Sequence, residues 1–220
     1  MTDARVVHIV DDEESVRRSV GFLLKTSGFT THAWDSGTAF LRQAKHAEPG
    51  CVLLDLRMPE MDGLEVQRRL NAAGVALPVI LLTGHGDVSS AVAAMKEGAV
   101  DFLEKPFEKA RLIQALDTGF GKLEQSHAAD LAAHEAETRL AALTPREREV
   151  LAGLVAGQPN KTIAFDLGIS ARTVEVHRAN VMTKLGVRSL SEALRIAFAA
   201  GLGGPPADAG MPDAHPRDIP

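Results

Sequence analysis

Within the first 121 residues, five short apolar runs are separated by amphipathic stretches of helical length, and this alternation restricts the fold more than any other feature. The runs are Val6–Val10, Thr30–Ala33, Cys51–Leu54, Val79–Leu82 and Asp101–Glu104; the first, third and fourth are nearly all apolar. A strand with one wet face alternates apolar and polar residues, so an unbroken apolar run marks a strand covered on both faces. Helical spacing fills the intervals, over Ser15–Thr26, Gly37–Ala44, Leu64–Asn71 and Val88–Glu97, and resumes near Lys109. Gly28, Gly74, Gly98 and the pairs Pro49-Gly50 and Leu77-Pro78 stand at the junctions as stops and turns. The pattern predicts a five-stranded parallel sheet in a doubly wound α/β fold of flavodoxin-like type, with strand order 2-1-3-4-5, over residues 4–121.

The rest of the chain follows a different pattern. Residues 122–140 lack Gly and Pro and are rich in Ala, Leu and Glu, which predicts a helical linker continuing the last helix of the first domain. Residues 141–203 predict an all-α domain of four helices. Thr144-Pro145-Arg146-Glu147 combines an N-cap, a proline at the first helical position and an acid in the first turn. A second helix spans Asn160–Leu167 and a short turn, Gly168-Ile169-Ser170, follows. Ser170 caps a third helix from Ala171 to Leu185, and a fourth runs from Ser189 to Ala200. A short helix, a glycine turn and a longer helix make a helix-turn-helix at about 160–185. The tail, 204–220, is mostly Gly, Pro, Ala and Asp; with little to bury, it is expected to be disordered.

Charge divides along the same line. Residues 1–138 hold 14 Lys and Arg against 21 Asp and Glu, net −7, whereas 139–203 hold 9 against 5, net +4. The chain-wide net of −5 conceals a basic second half, and only that half is expected to meet nucleic acid. No apolar run approaches the roughly 20 residues of a membrane helix, and no secretory signal pattern opens the chain, so a cytoplasmic protein with no membrane association is expected. The single cysteine, Cys51, lies in an apolar run and reads as a buried structural thiol.

Ligands of an open parallel sheet gather at the carboxyl ends of its strands. Asp11 and Asp12 follow the first strand, Asp55 closes the third, Thr83 closes the fourth and Lys105 follows the fifth. Three converging carboxylates repel one another, a conflict that a hard divalent cation, Mg²⁺ or Mn²⁺, removes. With the cation and an ammonium group in place, a carboxylate between them can accept a phosphoryl group, and Thr83 offers a hydroxyl to its oxygens. His85, between Gly84 and Gly86, reads as a solvent-exposed turn residue and His8 as structural.

The segments VDDEESVR (10–17), LLDLRMPEMDGLE (53–65), LLTGHGD (81–87) and DFLEKPF (101–107) resemble the receiver domain of two-component response regulators over residues 4–121. The resemblance implies that Asp55 is the phosphoacceptor and that Asp12, Asp55 and the backbone carbonyl of Arg57 hold the metal, with Asp11 acting mainly through water. It further implies a switch pair, Thr83 and Phe102, a phosphoryl-binding Lys105, and a cis Lys105–Pro106 bond. Phe102 stands where many receivers have tyrosine, so switching here rests on ring burial and Thr83 movement. The implied partners are a sensor histidine kinase and a second copy of the chain, the homodimer forming on phosphorylation through Val88, Val92, Lys96 and Arg111. Residues 122–140 offer an alternative dimer contact as a short coiled coil. Phosphatases of the haloacid-dehalogenase type also use an aspartyl nucleophile, but they place a second Asp two residues later, where this chain has Arg57. The chain is therefore read as no enzyme beyond accelerating loss of its own phosphate.

In the third helix of the second domain, Val174, His177, Val181 and Leu185 recur at helical spacing and are expected to face the core. Arg172, Glu175, Val176, Arg178 and Ala179 are then free to face a major groove, with Lys161, Thr173 and Lys184 placed for phosphate contact. The stretch from LTPREREVL through to TKLGV resembles the LuxR-type, or NarL/FixJ-type, DNA-binding domain. TGHGDV, GAVDFLEKPFE and RTVEVHRANVMTKL place it nearest the FixJ branch. Double-stranded promoter DNA is the implied target. Glu175 can accept a hydrogen bond from cytosine N4 and Ala179 can touch a thymine methyl, which defines no target sequence.

Overall fold

The computed structural model describes residues 5–84 and 88–203. The predicted tail at 204–220 and His85 lie outside the described residues, as does the side chain of Val88. The chain divides between His127 and Ala128 into two compact units.

In the first unit, β1 (Val6–Val10), β2 (Thr30–Trp34), β3 (Gly50–Asp55), β4 (Val79–Thr83) and β5 (Asp101–Glu104) form one parallel sheet, in the order β2-β1-β3-β4-β5. The helices are α1 (Glu14–Lys25), α2 (Gly37–Gln43), α3 (Gly63–Ala72), α4 (Val88–Lys96) and α5 (Lys109–Ala141), with a 3₁₀ turn at Ala44–His46. Successive strand residues point to opposite faces, so each apolar strand feeds two cores. On one side Val7, Ile9, Leu53, Ile80 and Leu82 pack with Val20 and Leu24 of α1 and Leu112, Leu116 and Phe120 of α5. On the other, Val10, Val52, Leu54 and Leu81 pack with Phe40 of α2, Val66 and Leu70 of α3 and Ala94 of α4. The three nearly all-apolar runs are the strands with every residue buried, while β2, which holds Ala33 and Trp34 beside Thr30, Thr31 and His32, is an edge strand of exposed and half-buried residues. Truncating a side chain such as Leu54, fully buried here, costs about 2–5 kcal/mol in comparable cores.

Strands β3 and β4 each extend past the predicted end by one polar residue, Asp55 and Thr83. Pairing holds these residues at the carboxyl edge, with Asp55 opposite Leu82 and Thr83 opposite Glu104. Gly63 lies so close behind β3 that a Cβ there would fall 2.5 Å from the Asp55 carbonyl oxygen, which explains glycine at the first position of α3.

In the second unit, α6 (Pro145–Val155), α7 (Asn160–Leu167), α8 (Ala171–Leu185) and α9 (Leu190–Ala199) match the four expected helices closely. Gly168 ends α7 and Gly186 ends α8 in the left-handed conformation that glycine adopts without strain. Val150, Leu154, Ile163, Ala164 and Val174 form one apolar cluster. Leu140, at the end of α5, joins Leu143, Leu151, Val181, Leu185 and Ala197 in the other. The segment 122–140 is helical throughout as part of α5; Ala128, Leu131 and Ala132 are exposed on it.

Candidate functional site

The carboxyl edge of the sheet brings a lysine against two buried carboxylates. Lys105 Nζ donates to Asp11 Oδ2 at 2.7 Å and to Asp55 Oδ1 at 2.5 Å. Asp11 is fully buried, Asp55 nearly so. The other oxygen of each carboxylate accepts a backbone N–H: Asp11 Oδ1 from Glu13 at 2.9 Å, Asp55 Oδ2 from Arg57 at 2.8 Å. Lys105 N–H in turn donates to the Thr83 carbonyl at 2.7 Å, which ties the lysine loop to the end of β4. The Lys105–Pro106 bond is cis.

One ammonium shared by two carboxylates leaves the pocket negative. Burial is the main influence on Asp55 and pushes its carboxyl above the ordinary aspartate value, against the opposing hydrogen bonds from Lys105 and Arg57. For Lys105, burial works to lower the ammonium, but its bonds and attraction to Asp11 and Asp55 outweigh burial and hold it above its ordinary value.

Of the three carboxylates expected to converge, Asp11 and Asp55 meet at Lys105. Asp12 is exposed, and among the described residues no group of three or more His, Cys, Asp or Glu side chains is arranged to hold an ion. The donors present still fit a hard divalent cation: they are carboxylate and carbonyl oxygens around uncompensated negative charge, and such an ion completes its shell with water.

Thr83 is buried, and the Phe102 ring on β5 is 42% exposed. On α4, which packs against β5, Val92 and Lys96 are exposed, and so is Met95, which the sequence reading did not select. Arg111 is exposed but engaged, with Nη2 3.2 Å from Asp101 Oδ2 and Nη1 2.9 Å from Gln114 Oε1.

On α8 of the second unit, Val174, Val181 and Leu185 are buried and His177 is half-buried. Arg172, Glu175, Val176 and Ala179 form the exposed face, and Lys161 is exposed on α7. Three further residues expected at the DNA have hydrogen-bond partners within the protein. Thr173 Oγ1 shares a 2.8 Å hydrogen bond with the capping Ser170, and Arg178 donates to Asn160 Oδ1 on α7 at 2.8 Å. Lys184 Nζ donates to Glu147 Oε2 at 2.7 Å. Glu147 is buried and completes a capping box with Thr144. The capping box was visible as Thr144…Glu147; the pairing with Lys184, 37 residues away, had no signal in sequence.

The model of the response regulator receiver domain matches residues 7–117, and that of the bacterial regulatory proteins of the luxR family matches 141–197. Chain-length relatives agree. The transcriptional regulatory protein FixJ of Azorhizobium caulinodans is 48% identical over 96% of this chain and 100% of its own, and FixJ of Rhizobium meliloti is 50% identical over 92% and 99%. The chain belongs to the FixJ-like response regulators. It is a transcription regulator of two-component signalling, with a receiver and a LuxR-type DNA-binding domain. Among solved structures, full-length FixJ from B. japonicum aligns with a TM-score of 0.57 at 45% identity, covering 91% of this chain and 98% of that one. The response regulator StyR aligns with a TM-score of 0.71 at 39% identity, covering 89% and 98%. A FixJ-like regulator implies a sensor kinase and DNA as partners. Among the described residues no helix is long and apolar enough to cross a membrane.

Proposed function

We propose that Asp55 is the residue through which this regulator is switched. The observation that carries the reading is a nearly buried carboxylate that shares a single lysine with Asp11 at the strand edge. The Asp55 carboxylate attacks the phosphorus of a phosphohistidine on the sensor kinase; the P–N bond breaks, the imidazole leaves, and an acyl phosphate forms. Lys105 then turns from Asp55 to a phosphoryl oxygen, and Thr83 offers its hydroxyl to another. Asp12, Asp55 and the Arg57 carbonyl would hold Mg²⁺ (or Mn²⁺), and Asp11 would act through water. When bound, the ion neutralises charge on the phosphoryl oxygens. Hydrolysis of the acyl phosphate, with release of inorganic phosphate, restores Asp55.

Movement of Thr83 draws the exposed Phe102 ring inward and reshapes the face of α4, β5 and α5. Two receivers pair there through Val88, Val92, Lys96 and Arg111, and pairing sets two α8 helices on a two-fold site in promoter DNA. Arg172, Glu175, Val176 and Ala179 reach base edges, while Lys161 contacts phosphate. Thr173, Arg178 and Lys184 contact the DNA beside them with the hydrogen-bonding capacity that their internal bonds leave free. The phosphoryl group has only to favour the dimer-competent state over the other. This chemistry belongs in the cytoplasm, where the kinase domain and the promoter are both accessible.

Incubation with a small acyl phosphate and Mg²⁺ is expected to convert the full chain to a dimer that binds its promoter. Asp55→Asn is expected to stay monomeric and unphosphorylated, as followed by intact mass and size-exclusion chromatography. A donor-dependent dimer of Asp55→Asn would overturn the assignment.

A further inference from the structure

A guanidinium to which neither the family resemblance nor the transfer chemistry gives a role holds the acidic turn from behind. Arg17, half-buried on the first turns of α1, points one nitrogen back at the strand exit: Nη1 lies 2.7 Å from the carbonyl oxygen of Asp11 and 2.8 Å from that of Asp12. These are the two carbonyls at which β1 leaves the sheet, since its ladder ends at Val10.

Every polar group of Asp11 is thereby fixed by a different part of the fold. Its N–H donates to the Trp34 carbonyl of β2 at 3.2 Å, and its carbonyl accepts from Arg17. Its carboxylate oxygens accept from Glu13 N–H and Lys105 Nζ. Asp12 is held differently, with its carbonyl on Arg17 and its side chain exposed. Arg17 therefore fixes the peptide that orients the Asp12 carboxylate while leaving that carboxylate open. Charge-assisted hydrogen bonds are about twice as strong as neutral ones, and guanidinium is suited to bridging two oxygens. The adjacent Arg18 makes no such contact: it pairs with Glu14 at 2.6 Å and is largely exposed.

We propose that Arg17 is a positioning residue for the phosphoryl-transfer pocket, locking the Asp11–Asp12 turn so that the Asp12 carboxylate is presented to the divalent cation. The proposal rests on the assignment of Asp55 as phosphoacceptor.

The test uses the full chain and its one tryptophan, Trp34, whose carbonyl accepts the Asp11 N–H. Mg²⁺ is titrated against Trp34 fluorescence without any phosphodonor, and phosphorylation by a small acyl phosphate is timed separately. Arg17→Ala is expected to raise the half-saturating Mg²⁺ concentration about tenfold, the scale of one lost charged hydrogen bond, and to slow phosphorylation at limiting Mg²⁺ while high Mg²⁺ recovers the rate. Arg18→Ala, which removes the same charge one residue on, is expected to match the wild type in both. Arg17→Lys keeps the charge without the planar fork and is expected to fall between the wild type and Arg17→Ala; it also stands in if the alanine variant does not fold. Wild-type values in both Arg17 variants overturn the proposal, as does an equal effect from Arg18→Ala. A wild-type chain that binds Mg²⁺ but takes no phosphoryl group at Asp55 overturns the assignment of Asp55 instead.

Discussion

Each unit of the molecule buries a carboxylate against a lysine, and the two pairs are built to opposite effect. In the receiver, Asp55 divides Lys105 with Asp11, and burial leaves its carboxyl above the ordinary value. In the DNA-binding unit, Glu147 has Lys184 to itself and the Thr144 N–H besides, and these hold its carboxyl down at about 2. A buried carboxylate that shares its counter-charge favours an incoming cation, which relieves the deficit. One with surplus partners is placed for structure: Glu147 joins the start of α6 to the end of the recognition helix α8.

The largest effect expected from this contrast is at Lys105. Lys105→Met leaves Asp11 and Asp55 buried without a counter-charge, a situation that typically costs about 3–5 kcal/mol. In metal-free buffer the receiver is expected to lose stability on that scale, read from urea denaturation followed by Trp34 fluorescence, and to regain most of it with added Mg²⁺. A variant as stable as the wild type without the ion would show that the two carboxylates are not in competition.

Next comes the pH dependence of the second unit. The folded value of Glu147 lies below its ordinary value of 4.5, so its stabilisation is fully present above about 4.5 and is lost as pH falls toward about 2. Thermal melts by circular dichroism, with Trp34 reporting the receiver alone, are expected to show the second unit weakening over that interval. Glu147→Gln is expected to be weaker at pH 7 and nearly flat below 4.5; an unchanged acid profile would remove Glu147 from the account. Asp55 has the opposite sign. Its raised value makes the ionised form unfavourable in the fold, so its contribution is greatest below the unfolded value and declines as pH rises through the folded one.

The smallest effect falls on an exposed residue of α7. Lys161→Ala is expected to leave the melting transition unchanged and to lower the slope of log affinity against log salt by about 1.8, one phosphate contact from each protomer of the bound dimer. Binding assays across a salt series check this. An unchanged slope would take Lys161 off the DNA.

The receiver pocket could be read residue by residue, because the end of each apolar run names a position on a known edge of the sheet. Asp11, Asp55, Thr83 and Lys105 all lie there. Spacing along the chain does not say how these groups pair: Lys105 is shared by Asp11 and Asp55, and the Asp12 side chain is exposed. The exposed face of α8 followed from helical period in the same way, but the internal partners of Thr173, Arg178 and Lys184 did not. Long polar side chains choose partners across tens of residues, and periodicity carries no information about them.

The sequence by itself determined the parallel sheet, its strand order, the helix-turn-helix and the place of Asp55 at the end of β3. Local propensity and the alternation of apolar runs are sufficient for those features. Tertiary structure alone decided how the charges were shared: Lys105 between two aspartates, Lys184 with Glu147, and Arg17 on the carbonyls of the acidic turn. Burial strengthens these interactions, and burial exists only once the chain has folded.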